Sequence, residues 1–250
     1  KGWKCLFLPD IVVDAELPVQ MNGAKRQQFR WAKGSIQCAV KLLGNILLKR
    51  KISFDIGAFG LVYNDRIGFV QKAFSDGSVK SERGNVGNAF IYGIESLIDF
   101  NLNKIFIKDN DFSFNYFTNI SVIDSKYTSS KVNGVEGNNV EFVPNLNFKT
   151  GIKFGYKNLL SNIQYTYLSE QFTDATNAIE GNLSGVIGQI PAYEVLDISL
   201  SYTYKQFKLE TGVNNLTNNY YFTRRATGYP GPGIIPSPDR NFYMTLEIKF

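Results

Sequence analysis

The last nine residues, Phe242-Tyr-Met-Thr-Leu-Glu-Ile-Lys-Phe250, decide the fold class. Phe242, Met244, Leu246, Ile248 and Phe250 fall on one side of an extended chain, and Tyr243, Thr245, Glu247 and Lys249 on the other. Alternate side chains of a strand leave opposite faces, so this stretch is a strand with one apolar and one polar surface. The pattern recurs upstream. Leu196, Ile198, Leu200, Tyr202 and Tyr204 alternate with Asp197, Ser199, Ser201, Thr203 and Lys205. Phe207, Leu209, Thr211 and Val213 alternate with Lys208, Glu210, Gly212 and Asn214. Phe112, Phe114, Tyr116, Thr118, Ile120 and Val122 alternate with a mainly polar set broken by Phe117 and Ile123. The periodicity predicts a mainly β chain, an antiparallel up-and-down sheet of about eight strands, near 54–69, 89–102, 111–125, 146–157, 159–170, 193–205, 206–216 and 241–250.

The connections narrow the architecture. The chain reverses within two or three residues between 157 and 159 and again at Lys205–Gln206. The alternate connections, 70–88, 126–145, 171–192 and 217–240, are long and rich in Asn, Gly, Ser and Pro. Short turns alternating with long loops, on strands of ~9–11 residues, match an outer-membrane barrel with short periplasmic turns and long extracellular loops. Aromatic residues concentrate near strand ends, as in Tyr193, Tyr202, Tyr204, Tyr220, Tyr221, Phe222, Phe242 and Tyr243. Membrane barrels carry aromatic girdles at both interfaces, and a soluble β-sandwich core favours the same residues. The loop rhythm favours the barrel, because a sandwich has no need to gather its long loops at one end.

Composition splits the chain. Residues 1–53 hold both tryptophans, both cysteines, none of the 14 tyrosines, and 10 Lys/Arg against 3 Asp/Glu. Residues 54–250 hold 18 of the 20 phenylalanines and 17 Lys/Arg against 19 Asp/Glu. The net charge of +5 therefore describes neither part and is no nucleic-acid signature. With no histidine, His-based triads and zinc hydrolase motifs are excluded, and no cofactor or metal is expected. No apolar run approaches the ~20 residues of a membrane-spanning helix. The chain starts at Lys1 without a signal peptide and reads as a piece of something longer.

The stretch Val213-Asn-Asn-Leu-Thr-Asn-Asn-Tyr-Tyr221, a Pro/Gly-rich loop and Asp239-Arg-Asn-Phe-Tyr-Met-Thr-Leu-Glu-Ile-Lys-Phe250 resemble the C-terminal end of TonB-dependent outer-membrane receptors. Leu61-Val-Tyr-Asn-Asp-Arg-Ile-Gly68 and Gly84-Asn-Val-Gly-Asn-Ala-Phe-Ile-Tyr-Gly-Ile-Glu95 resemble paired strands of the same receptors, nearest in flavour to the ferric-citrate type. The resemblance covers about 54–250. It implies the C-terminal part of a 22-stranded, plugged barrel in the outer membrane of a Gram-negative bacterium, taking up ferric chelates or siderophores. The implied partners are outer-membrane lipid, the TonB system, a ferric chelate, and the barrel assembly machinery. Phe242, Met244, Leu246, Ile248 and Phe250 would be the assembly signal. Arg224, Arg225, Tyr229 and Arg240 are candidates to face an anionic chelate, because arginine suits carboxylate recognition. A solvated loop without a ligand is the competing reading. The plug, the TonB-contacting box and the first 14 strands of that family pattern have no counterpart here. The segment alone is expected not to transport, and it either keeps two open edges or curls into a narrower barrel.

Residues 1–53 read as a short α/β segment, with helices from Gln20 to about Trp31 and from Gln37 to Leu48. Gln27-Gln-Phe-Arg-Trp31 fits the Q-x-x-R-W pattern. With its flanks, Leu8-Pro-Asp10, Asp14-Ala-Glu-Leu-Pro18 and Arg30-Trp-Ala-Lys-Gly-Ser35, it resembles processive family-2 glycosyltransferases of the cellulose-synthase-like kind over about 1–52. The resemblance implies that Gln27 and Arg30 contact a nucleotide-sugar or glycan and that Trp31 stacks on a sugar ring. Packing of Phe29 and Trp31 in a small core, with Arg30 solvated, is the simpler reading. Such enzymes need carboxylates for a divalent cation and a general base. Asp10, Asp14 and Glu16 form neither a D-x-D nor a T-E-D pattern, so no enzymatic activity and no catalytic residue is expected. Two segments, 1–53 and 54–250, meet abruptly at 51–54, as though parts of two genes had been joined.

Overall fold

The computed structural model describes residues 51–250 apart from 77–78, 108–110 and 227–230. The helices expected within 20–48 lie outside the described residues. Eight strands form one antiparallel sheet whose order follows the sequence: β1 (Ile52–Ala73), β2 (Val79–Asn101), β3 (Phe112–Ser129), β4 (Leu146–Tyr156), β5 (Leu159–Leu168), β6 (Tyr193–Tyr204), β7 (Phe207–Asn214) and β10 (Asn241–Ile248). A separate hairpin, β8 (Phe222–Ala226) and β9 (Gly233–Pro236), lies within the last long connection. The connections β1–β2, β3–β4, β5–β6 and β7–β10 share one end of the sheet, and β2–β3, β4–β5 and β6–β7 the other.

Register carries the predicted alternation across the whole sheet. Residues directly opposed in an antiparallel ladder share a face. Phe242 opposes Val213, Val213 opposes Ile198, Ile198 opposes Ile163 and Ile163 opposes Ile152. Ile152 then opposes Tyr116, Tyr116 opposes Phe100, and Phe100 opposes Ile52. One face is thus apolar from edge to edge and open to its surroundings, with Val62 74 % and Met244 75 % exposed. An apolar face of that extent marks a surface that something else covers. The opposite face is polar and carries Asp55, Glu95, Asn119, Lys153, Gln164, Ser199 and Glu210.

Three glycines on the polar face are covered by an aromatic ring from the adjacent strand. Phe59 opposes Gly93, Phe117 opposes Gly151 and Tyr243 opposes Gly212. A Cβ on Gly151 would stand 2.6 Å from the Phe117 ring, and one on Gly212 2.6 Å from the Tyr243 ring. The missing side chain is what lets each ring lie flat on the neighbouring backbone.

Two expectations need correction. The connection expected at 70–88 is mostly strand, because pairing continues through Ala73↔Val79 and leaves only 74–78 between the two strands. A register shift between Tyr63 and Arg66 absorbs the irregularity that breaks the sequence pattern there. The connection at 217–240 is not plain loop but contains β8–β9. Of the two expected outcomes for the sheet, the open one is seen: among the described residues β1 and β10 are its free edges.

Buried apolar residues do not lie between layers. Val86, Ala89, Ile91, Tyr127, Val135, Val140 and Ala175 cluster at the long-loop end, where the connections fold onto the polar face.

Candidate functional site

The long-loop rim is built on a buried ionic triangle. In β1 the backbone is left-handed at Asp65 (φ 54) within the register shift. Its N–H donates to Asn88 Oδ1 at 2.9 Å, and its carboxylate accepts from Asn85 Nδ2 at 2.7 Å. The next residue, Arg66, donates through Nη1 to Tyr127 Oη at 2.6 Å and to Glu141 Oε1 at 2.5 Å. Tyr127 donates to Glu141 Oε2 at 2.7 Å. Tyr127 and Glu141 are 1 % and 3 % exposed. A Cβ on Gly68 would come within 2.7 Å of Glu141 Oε1 and 2.9 Å of Arg66 Nη1, so the glycine makes the room for the pair.

Tyr127 stands beyond the apolar part of β3. The apolar run on that strand ends at Val122, and Asp124 and Lys126 follow on the same face. Burial, then the Glu141 carboxylate, holds the Tyr127 phenol above its ordinary value near 10. Burial pulls the Arg66 guanidinium down, and Glu141 and Tyr127 together outweigh it, leaving a net rise.

Further bonds run from loop to loop. Phe142 N–H donates to Phe172 O at 2.9 Å. Asn139 N–H donates to Asn177 Oδ1 at 2.7 Å, and Asn177 Nδ2 returns a bond to Asn139 O at 2.9 Å. Loop 169–192 is closed at its base by the Gln171–Ile190 bridge. Its far side receives Arg225 of β8, which donates to Gly185 O at 2.7 Å and Gln189 O at 2.8 Å. Burial lowers the Arg225 guanidinium below its ordinary value. The chain leaves β7 through an asparagine-built turn: Asn215 Oδ1 accepts from Asn219 N–H at 2.9 Å, and Asn218 Oδ1 from Arg240 N–H at 3.0 Å. Asn215 and Asn218 are both left-handed there, as asparagine tolerates. Contacts therefore tie the long connections β3–β4, β5–β6 and β7–β10 to one another and to Arg66 of β1.

A family model described as TonB dependent receptor-like, beta-barrel, matches residues 40–216, most of the chain. The chain belongs to that family. TonB-dependent receptor barrels are outer-membrane proteins of Gram-negative bacteria, transporters and not enzymes. The sheet is similar to the ferric citrate transporter FecA, with a TM-score of 0.66 at 20 % identity over 80 % of this chain and 29 % of that one. It is also similar to the ferric yersiniabactin uptake receptor FyuA from Yersinia pestis, with a TM-score of 0.58 at 17 % identity over 80 % and 28 %. The copper transporter OprC gives 0.58 at 15 % over 80 % and 29 %. At these identities the likeness is one of fold.

A short stretch is similar to other proteins. It is 36 % identical over 63 residues to "Probable glucomannan 4-beta-mannosyltransferase 7" of Oryza sativa subsp. japonica, covering 25 % of this chain and 11 % of that protein. It is 34 % identical over 53 residues to glucomannan 4-beta-mannosyltransferase 7 of Arabidopsis thaliana, covering 21 % and 10 %. The chain thus spans about a tenth of the curated relatives it matches.

On the receptor barrel the four arginine-loop candidates separate. Arg224 and Arg240 are exposed, Arg225 is committed to the two carbonyl oxygens, and Tyr229 lies outside the described residues. Gln27, Arg30 and Trp31 lie outside them as well. Phe242, Met244, Leu246 and Ile248 line the apolar face of β10, and Phe250 follows it, exposed. Among the described residues no group of His, Cys, Asp and Glu could hold a metal ion. Sequence reasoning gave Arg66, Tyr127 and Glu141 no role.

Proposed function

We propose that the chain forms part of the wall of an outer-membrane receptor that takes up ferric chelates, with the long-loop rim as the surface that meets the ligand. The observation that carries this reading is the tied rim, set above a polar face on a sheet whose other face is apolar from edge to edge. The ferric transporters and receptors among the similar structures support the ligand class. Arg224 and Arg240 are the exposed cations available to a carboxylate-bearing chelate. The wider reading includes TonB as energy source, insertion by the barrel assembly machinery through the Phe242–Phe250 signal, and lipid on the apolar face. The test is expression in a Gram-negative host lacking its own ferric citrate receptor. The chain is expected in the outer-membrane fraction and to bind labelled ferric citrate severalfold less after Arg224→Ala. Accumulation of label inside cells would refute the expectation that this segment alone does not transport.

We further propose that residues 1–53 derive from a glycosyltransferase and carry no activity. The 53- and 63-residue mannosyltransferase matches support this by their length. The receptor family match begins at residue 40, so it overlaps the end of that segment. Sequencing an amplicon across codons 45–60 tests the seam, and turnover of a sugar nucleotide by the purified chain would overturn the absence of activity.

A further inference from the structure

The two shortest turns are built alike. β4 runs into β5 through Tyr156-Lys-Asn-Leu159, and β6 into β7 through Tyr204-Lys-Gln-Phe207. In each, lysine is the first turn residue and takes left-handed backbone, φ 51 at Lys157 and φ 52 at Lys205. Glycine or asparagine normally occupies that place, because a Cβ there crowds the backbone. The turn geometry therefore does not select lysine, yet it appears twice. Each ammonium lies beside the ring of the preceding tyrosine, with Lys157 Nζ 5.1 Å from the Tyr156 centroid and Lys205 Nζ 5.4 Å from that of Tyr204. Both tyrosines are exposed on the apolar face.

The two hairpins are neighbours. Thr203 N–H donates to Asn158 O at 3.0 Å, so the turns are two strand spacings, about 10 Å, apart. Asp111 flanks Lys157, accepting the lysine N–H through its backbone oxygen at 2.9 Å, and Lys249 N–H donates to Gln206 O at 2.9 Å. The edge of the apolar face thus carries two amphipathic rings, each with a cation on it, at the end remote from the rim.

We propose that the Tyr156–Lys157 and Tyr204–Lys205 turns are a docking surface for the phosphate groups of anionic phospholipids in the leaflet that the short turns adjoin. Tyrosine rings sit at the boundary between acyl chain and headgroup, and ammonium groups bind phosphate as point charges. A cation near an anionic membrane surface gains roughly fivefold in affinity. The proposal rests on the membrane orientation of the barrel family and is independent of any ligand at the rim.

The full chain in a zwitterionic detergent, with either dioleoyl-phosphatidylglycerol or dioleoyl-phosphatidylcholine added, tests this by native mass spectrometry of retained lipid. The expected result is preferential retention of phosphatidylglycerol, by roughly an order of magnitude. Lys157→Gln or Lys205→Gln alone lowers the preference, and the double variant abolishes it. Lys149→Gln, on the polar face of the same sheet, leaves it intact. Equal retention of the two lipids by the unaltered chain, or an undiminished preference in the double variant, overturns the proposal. Displacement of phosphatidylglycerol by millimolar inorganic phosphate also overturns it, since that identifies a simple anion site in place of a lipid surface.

Discussion

At the scale of single residues, the Arg66–Tyr127–Glu141 triangle is the most consequential contact. Its charges are largely removed from water, so deleting one partner leaves the other uncompensated. Glu141→Ala is expected to cost about 3 kcal/mol, read as a lower chemical-denaturation midpoint. The pH dependence has a definite sign. Tyr127 is raised in the folded chain, so its contribution is present in full below the ordinary tyrosine value near 10 and is lost as pH rises through the higher folded value. A base titration should show loop protection holding to about pH 10 and failing above it, whereas Tyr127→Phe removes that step. None of this was legible in the sequence. Tyr127 reads as one more aromatic in a strand, and Glu141 lies 14 residues further on in a segment without periodicity. Their meeting depends on how the β3–β4 connection folds back.

At the scale of elements, the period-2 pattern was a sound guide where one face of the sheet is apolar and the other polar. β10 is read directly from Phe242–Ile248, and the turns at 157–158 and 205–206 from their brevity. Legibility failed in β1 and β2 above Tyr63, where the strands run on past the apolar face. Neither face is then obliged to be apolar, and the alternation disappears although the ladder continues. It failed also for β8–β9, whose Arg and Pro content reads as loop. The ring-covered glycines give an element-scale prediction. A Cβ on Gly151 would meet the Phe117 ring and also Ile163 O at 2.5 Å, an atom of the neighbouring backbone that cannot swing aside. Gly151→Ala should destabilise the sheet by about 1–3 kcal/mol, seen as a lower thermal midpoint in detergent. Gly57→Ala is the matched control, since nothing lies within 4 Å of its added Cβ.

At the scale of the molecule, the rim and the edges set what the chain can do. The long connections β3–β4, β5–β6 and β7–β10 are held to one another, so disturbance of one is felt by its neighbour. Asn177→Ala removes both bonds that join loop 130–145 to loop 169–192 through that side chain. Amide hydrogen exchange should quicken in both loops by roughly tenfold or more, with the sheet below unaffected. An effect confined to residues near 177 would show that the loops are independent. The edges act in the opposite sense. Among the described residues β1 and β10 have no strand on their outer side, and the interior of a bilayer cannot satisfy the N–H and C=O groups left there, so within a bilayer each needs a strand partner.

Strand order identical to sequence order has a mechanical corollary. Every ladder joins a strand to its predecessor in the sheet, and among the described residues β10 is fastened to the rest of the sheet through β7 alone. Force applied at Phe250 therefore loads one row of hydrogen bonds at a time, unzipping them in series from the end. In a single-molecule extraction the chain should come away as a staircase of hairpin-length steps, the first releasing β10 and the last freeing β1 from β2.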